Sequence, residues 1–173
     1  MNLPAVRRLL PTDAQAYADI RLRGLREHPE AFTSSFEEDV TRPLADAQAR
    51  LTASPQRPHD AFWGAFSAQQ LVGVVGIQGR YRAKERHTAT VVGLYVANEN
   101  RGLGNAQALV AALLAFAKSC EDLVQLDLTV TLGNDSAMRL YEQLGFASWG
   151  VYPGAIRVGG RPWDKAHMVL RLR

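Results

Sequence analysis

The stretch Leu94-Tyr95-Val96-Ala97-Asn98-Glu99-Asn100-Arg101-Gly102-Leu103-Gly104-Asn105-Ala106 constrains this chain more than any other, because an apolar strand runs into a glycine turn that opens a long helix. Beyond the turn, Ala106, Leu109, Val110, Leu113, Leu114 and Ala117 recur at i, i+3, i+4 spacing, which predicts a helix over 104–119 with one apolar face. Gly102 and Gly104 allow the backbone to approach a ligand closely, and the unpaired N–H groups of the first helical turn lie at the positive end of the dipole. The expected guest is an anion, a phosphate above all. No Gly-Lys-Ser/Thr follows the turn, so it is not a Walker loop, and Gln107 stands where a Rossmann fingerprint needs its third Gly or Ala.

Around this unit the patterns alternate between the two periodicities. Val6 to Leu9 reads as a short strand. Pro11-Thr12-Asp13 announces a helix to about Glu27 with Ala16, Ile20, Leu22 or Arg23, and Leu25 as an imperfect apolar face, and His28-Pro29 ends it. Glu30 to Thr41 reads as a connection, and 43–54 as a second helix. Residues 61–66 and 71–77 flank a Ser-Ala-Gln-Gln turn as an antiparallel hairpin. In the strand 88–96, alternation puts Thr88, Thr90, Val92, Leu94 and Val96 on one face and Ala89, Val91, Gly93 and Tyr95 on the other. Gly93 marks either a bulge or ordinary twist. Val124 to Val130 follows as a strand, Asp135 to Leu144 as a helix capped by a left-handed Gly145 with Phe146 as its clasp, then Ala147 to Tyr152, a Gly159-Gly160 turn and a last strand 166–172. The fold class expected is α/β, one domain over 1–173, with a mixed, largely antiparallel central sheet and helices on both faces.

Composition narrows the function classes. The formal net charge is only +3 and the Lys and Arg residues are scattered, so no nucleic-acid face is expected. His28, His59, His87, His167 and the lone Cys120 lack metal-ligand spacing, so no metal is implied. One cysteine forbids an internal disulfide, and neither a signal segment nor an apolar run of ~18 residues is present. The expectation is a cytoplasmic protein without membrane contact, monomeric or homodimeric.

The turn reads Arg101-x-x-Gly104-x-Ala106 after a strand ending Leu94-Tyr95-Val96. Downstream stands Asn134-Asp135-Ser136-Ala137-Met138-Arg139-Leu140-Tyr141-Glu142-Gln143-Leu144-Gly145-Phe146. In this pair of motifs the chain resembles the GNAT superfamily of N-acetyltransferases, whose turn reads Gln/Arg-x-x-Gly-x-Gly/Ala and whose second hallmark is Asn-x-x-Ala-x-x-Leu-Tyr-x-x-Leu-Gly-Phe. The resemblance implies acetyl coenzyme A as the acetyl donor. Its pyrophosphate would lie on Arg101, Gly102, Leu103, Gly104, Asn105 and Ala106, and its pantetheine along Leu94, Tyr95 and Val96.

Acetyl transfer from a thioester to a primary amine needs a neutral amine, stabilisation of an oxyanion, and a proton for the departing thiolate. By resemblance Tyr141 is the general acid, although its place in the stripe Ala137, Leu140, Tyr141, Leu144 also suits a core residue. The Val96 N–H or a neighbour would serve the oxyanion. Asn134 can cap the following helix, face the pantetheine, or both. Many members carry a carboxylate base on the strand that meets the cofactor, but 91–95 holds none here. Glu37, Glu38, His87 and Asp127 remain open as the end of a water chain. In the family Glu30, Phe32, Phe36, Glu37, Gly159, Gly160 and Trp163 would border the acceptor pocket, and Phe32, Glu37 and Trp163 are the substrate candidates. The alternative is a non-catalytic acyl coenzyme A-binding or regulatory domain of the same fold.

Overall fold

A hairpin whose two strands are apolar on both faces organises the sheet. In the computed structural model, which describes residues 5–173, β2 (Ala61–Ser67) and β3 (Gln70–Gly79) turn at Ala68 and Gln69, both left-handed at φ 47° and 69°. Such a turn matches the natural twist of the strands it joins. Strands buried on both sides need helices on both sides, and the chain supplies them.

On one face lie α4 (Asn105–Ser119) and α5 (Asp135–Gln143). Leu109, Val110, Leu113 and Tyr141 from these helices pack on Trp63, Val75, Ile77, Leu126, Leu128 and Met168. On the other face α1 (Ala14–Glu27) and α3 (Leu44–Leu51) enclose a second core of Tyr17, Ile20, Leu51, Phe62, Val74 and Tyr95. The seven strands run in the order β1-β2-β3-β4-β5-β7-β6, adding β1 (Ala5–Arg8), β4 (Thr88–Val96), β5 (Gln125–Thr131), β6 (Ala147–Val158) and β7 (Arg161–Arg171). Every pairing is antiparallel except β4 with β5. The mixed, largely antiparallel sheet with helices on both faces is therefore as the sequence predicts.

The parallel pairing is brief. It holds Thr88, Ala89 and Thr90 against Gln125, Leu126 and Asp127, after which the two strands part. At the closed end Asp127 accepts from Thr90 Oγ1 at 2.7 Å and pairs with the Arg80 guanidinium.

Several boundaries differ from expectation. Strict alternation fails in β4: Gly93 is left-handed (φ 65°), and between the Val74↔Tyr95 and Gly76↔Val92 pairs β4 carries one residue more than β3. That bulge inverts the side-chain parity, so Val96 joins Ala89 and Val91 on the α4 face while Val92 and Tyr95 share the α1 face. In α1 the buried stripe is Ala14, Tyr17, Ile20, Gly24 and Leu25, with Ala16 exposed, because the helix turns its 3.6-residue period from Ala14. The 30–41 connection contains a short helix, α2 (Phe36–Val40), closed by a capping box in which Ser35 Oγ accepts from Glu38 N and Glu38 accepts from Ser35 N. β6 runs six residues past Tyr152, since an edge strand tolerates Pro153, and β7 begins at Arg161, five residues before the expected start.

Candidate functional site

A cleft of about 590 Å³ opens where β4 and β5 part. Its walls come from Leu94 to Val96 of β4, Thr131 to Gly133 at the end of β5, the turn before α4, the first turns of α5, the 28–32 segment and Trp163.

The turn is shaped for a close guest. Gly102 and Gly104 are left-handed, at φ 74° and 81°, and a Cβ built on either would meet nothing within 4 Å. The backbone conformation therefore demands glycine, and the space in front is open. The first intrahelical bond of α4 runs from Ala108 N to Gly104 O at 2.9 Å, leaving the N–H groups of Asn105, Ala106 and Gln107 without a partner in the helix. The buried Asn105 side chain braces the turn by donating to Asn100 O at 2.9 Å. Arg101 does not reach outward. Its Nε donates to Val96 O at 3.0 Å and its Nη2 to His28 Nε2 at 2.9 Å, so the guanidinium is a strut between β4 and the end of α1.

That strut also fixes a proton. An arginine can only donate, so His28 Nε2 must accept and the ring's N–H sits on Nδ1, 3.6 Å from Glu30 Oε1. Ala97 N donates to Val72 O, and antiparallel alternation then turns the Val96 N–H away from β3, toward the side where β5 has withdrawn. A backbone donor aimed into the gap is the geometry that stabilises a developing oxyanion.

At the start of α5, Asn134 Oδ1 accepts from Ala137 N at 3.2 Å and so caps the helix, and the residue lines the cleft. Gly145 is left-handed (φ 94°), and Phe146 N donates back to Tyr141 O at 3.0 Å with its ring edge-on to Tyr141, as the capping pattern predicts. Tyr141 is 6% exposed and sits behind Ala137 and Leu140, which line the cleft. Burial pushes its phenol well above the usual range, keeping it protonated.

The cleft thus gathers Leu94, Tyr95, Val96, Arg101, Gly102, Gly104, Asn105, Ala106, Asn134, Phe32 and Trp163. It leaves out Tyr141, buried behind Ala137 and Leu140, Leu103, 62% exposed at the tip of the turn, and Glu37, exposed on α2. Among the open candidates for the base, Glu38 is spent in its capping box, His87 precedes β4 at the closed end, and Asp127 is tied to Arg80 and Thr90. None of these lines the cleft; His28 and Glu30 do. His28 had no motif to mark it, because only folding brings the exit of α1 against the glycine turn.

No helix among the described residues is long and apolar enough to cross a membrane, and none of their His, Cys, Asp and Glu side chains group as a metal site.

Residues 24–146 match the Acetyltransferase (GNAT) family. N-acetyltransferase family 8 member 2 of Rattus norvegicus is 33% identical over 124 residues, covering 70% of this chain and 54% of that protein. The chain spans about half the length of such curated relatives. Among solved structures, a GNAT-family acetyltransferase from Streptococcus pneumoniae superposes with a TM-score of 0.88 at 19% identity, over 97% of this chain and 98% of that one. A phosphinothricin acetyltransferase from Sinorhizobium meliloti, solved in complex with acetyl coenzyme A, has a TM-score of 0.84 at 18% identity, over 98% and 89%. These likenesses concern the fold. With the family match over most of its length, the chain belongs to the acetyltransferase (GNAT) family.

Proposed function

We propose that the chain is an acetyl coenzyme A-dependent N-acetyltransferase that moves the acetyl group to a primary amine by direct attack. The observation that carries this reading is the parting of β4 from β5 directly beside the open N-terminus of α4, which offers a gap for a pantetheine arm and a seat for a pyrophosphate in one continuous cleft. Open space in front of Gly102 and Gly104 and unpaired N–H groups at Asn105 to Gln107 fit that group. When bound, acetyl coenzyme A supplies the activated acetyl thioester.

The chain's own residues then divide the work. The Val96 N–H meets the carbonyl oxygen as negative charge grows there. Glu30, on the opposite wall and beside a His28 whose tautomer Arg101 fixes, takes the ammonium proton of the acceptor. Tyr141, kept protonated by burial, is the general acid: its phenolic O–H gives its proton to the departing thiolate and is left as the phenolate, which is reprotonated from solvent. Asn134 orients the pantetheine while capping α5.

Titration with acetyl coenzyme A tests the site, with Gly104→Glu as the matched control that places a carboxylate in the phosphate seat. Saturable binding by the wild type, abolished in a folded Gly104→Glu protein, is expected. Thiol release with a broad amine panel then tests transfer. Binding without turnover of any amine would reassign the chain as a non-catalytic acyl coenzyme A-binding domain, and absent binding would remove both readings.

A further inference from the structure

Lys165 is 6% exposed, yet its ammonium has no carboxylate within 4 Å among the described residues. Among the described residues its one hydrogen-bond partner is Thr33 Oγ1, 3.4 Å from Nζ, at the long limit of a hydrogen bond. Lysine is almost never buried without a counter-charge, because taking an ammonium out of water is costly unless an anion meets it.

Its position says where that anion would come from. Along β7 the side chains of Trp163 and Lys165 share one face, and Lys165 stands opposite Thr131 of β5. Trp163, Thr131 and Phe32, the neighbour of Thr33, all line the cleft, and Lys165 lies directly behind this lining. Thr131 Oγ1 donates to Glu30 O at 2.7 Å, which holds the 30–33 segment over this part of the sheet. Asp164, next to Lys165 in sequence, is engaged elsewhere, its Oδ1 accepting from Gly154 N in the β6–β7 hairpin, and the Glu30 carboxylate stands toward His28, 3.6 Å from Nδ1, rather than toward Lys165.

We propose that Lys165 recognises an anionic group of the acceptor, so that the acceptor is a small amine with a carboxylate beside its amino group, that is, an amino acid type of molecule. The proposal rests on the acetyltransferase reading above. A zwitterion satisfies both walls: its carboxylate meets Lys165 and its ammonium meets Glu30. A protein N-terminus offers the ammonium without a carboxylate on the same carbon and would leave Lys165 unpaired.

The test compares L-phenylalanine, L-leucine and L-methionine with their α-amides, which keep the amine and side chain but lose the anion. Thiol release from acetyl coenzyme A and calorimetric binding are both measured on the wild-type, Lys165→Met and Lys165→Arg proteins. A preference for acid over amide of roughly tenfold or more is expected in the wild type, falling toward one in Lys165→Met through a higher KM for the acid and partly kept in Lys165→Arg. Equal use of acid and amide by the wild type, or a preference that persists in Lys165→Met, overturns the assignment while leaving acetyl transfer standing. If no amine is acetylated, the transfer reading fails, and calorimetry alone decides: acids that bind the wild type but not Lys165→Met uphold the anion site, and binding without that difference overturns it. Circular dichroism checks the fold of each variant, and Lys165→Gln replaces the methionine variant if its native signal is lost.

Discussion

The Tyr95 hydroxyl donates a 2.6 Å hydrogen bond to Glu27 Oε2, tying the cleft end of β4 to the last turn of α1. Asn98 Nδ2 donates to the same oxygen at 3.0 Å, and Gly24 leaves room for the Tyr95 ring, since a Cβ there would stand 2.9 Å from Cγ. Burial, and then Glu27, pushes the Tyr95 phenol up to about 12; the Tyr95 hydrogen bond, and then Arg23, holds the Glu27 carboxyl below its usual value. Because Glu27 is lowered, its contribution is present above the ordinary carboxyl pKa of ~4.3 and is lost as pH falls through its folded value. Because Tyr95 is raised, its contribution is present below ~10 and is lost as pH rises through about 12. Tyr95→Phe should therefore cost about 1 kcal/mol between these limits, and the gap in Tm from wild type should narrow below pH ~4. A gap independent of pH in that range would contradict the assignment.

Gly104→Ala separates conformation from clash. With nothing near its Cβ, the substitution should cost about 1–2 kcal/mol of stability through the left-handed φ alone, and should weaken acetyl coenzyme A by altering the turn. Gly76→Ala, whose Cβ would collide with the Phe62 ring, should lower Tm more. Thermal melts paired with cofactor titration read both effects, and a larger melting loss at Gly104 would refute this ordering.

Arg101→Ala removes the strut to Val96 O and His28 rather than a phosphate ligand. Affinity for acetyl coenzyme A should fall modestly, by about tenfold or less, which corresponds to about 1.4 kcal/mol. A loss far beyond this would mean that the side chain swings out to meet the cofactor.

Tyr141→Phe deletes the phenol while keeping the ring against Phe146. It should lower kcat by roughly 10²–10⁴-fold with little change in acetyl coenzyme A binding. Burial raises this phenol, so deprotonation should not depress wild-type activity up to pH ~10, where an ordinary tyrosine would begin to ionise. A full-rate Tyr141→Phe enzyme would leave the residue a purely structural one.

Glu30→Gln should reduce kcat/KM most near neutral pH, where the acceptor is almost wholly protonated, and least at high pH, where the free amine forms unaided. A loss that is uniform across pH would point to binding rather than proton removal.

The sequence makes legible those elements whose signals are local. Apolar periodicity marks α4, left-handed glycine marks the α5 cap, and the two motifs mark the walls they build. What escaped depends on geometry between segments. Gly93 offers either a bulge or ordinary twist in the sequence; the structure takes the bulge, and it is the resulting inversion of which residues of β4 face α4 that no strict alternation foretells. Ser35-x-x-Glu38 does carry a helix-start signature, but five residues lack the periodicity that would have made it stand out. Lys165 reads as an ordinary surface lysine until β5, β7 and the 30–33 segment close around it.

With only three residue pairs joining β4 to β5, the sheet is two plates on one short spine at Thr88 to Thr90. Neither plate can donate the missing rungs to the other, so a guest that hydrogen-bonds along Leu94 to Val96 finishes the ladder as a surrogate strand. Its arrival should stiffen the whole domain, visible as slowed amide exchange at Val96 and at the far ends of both plates.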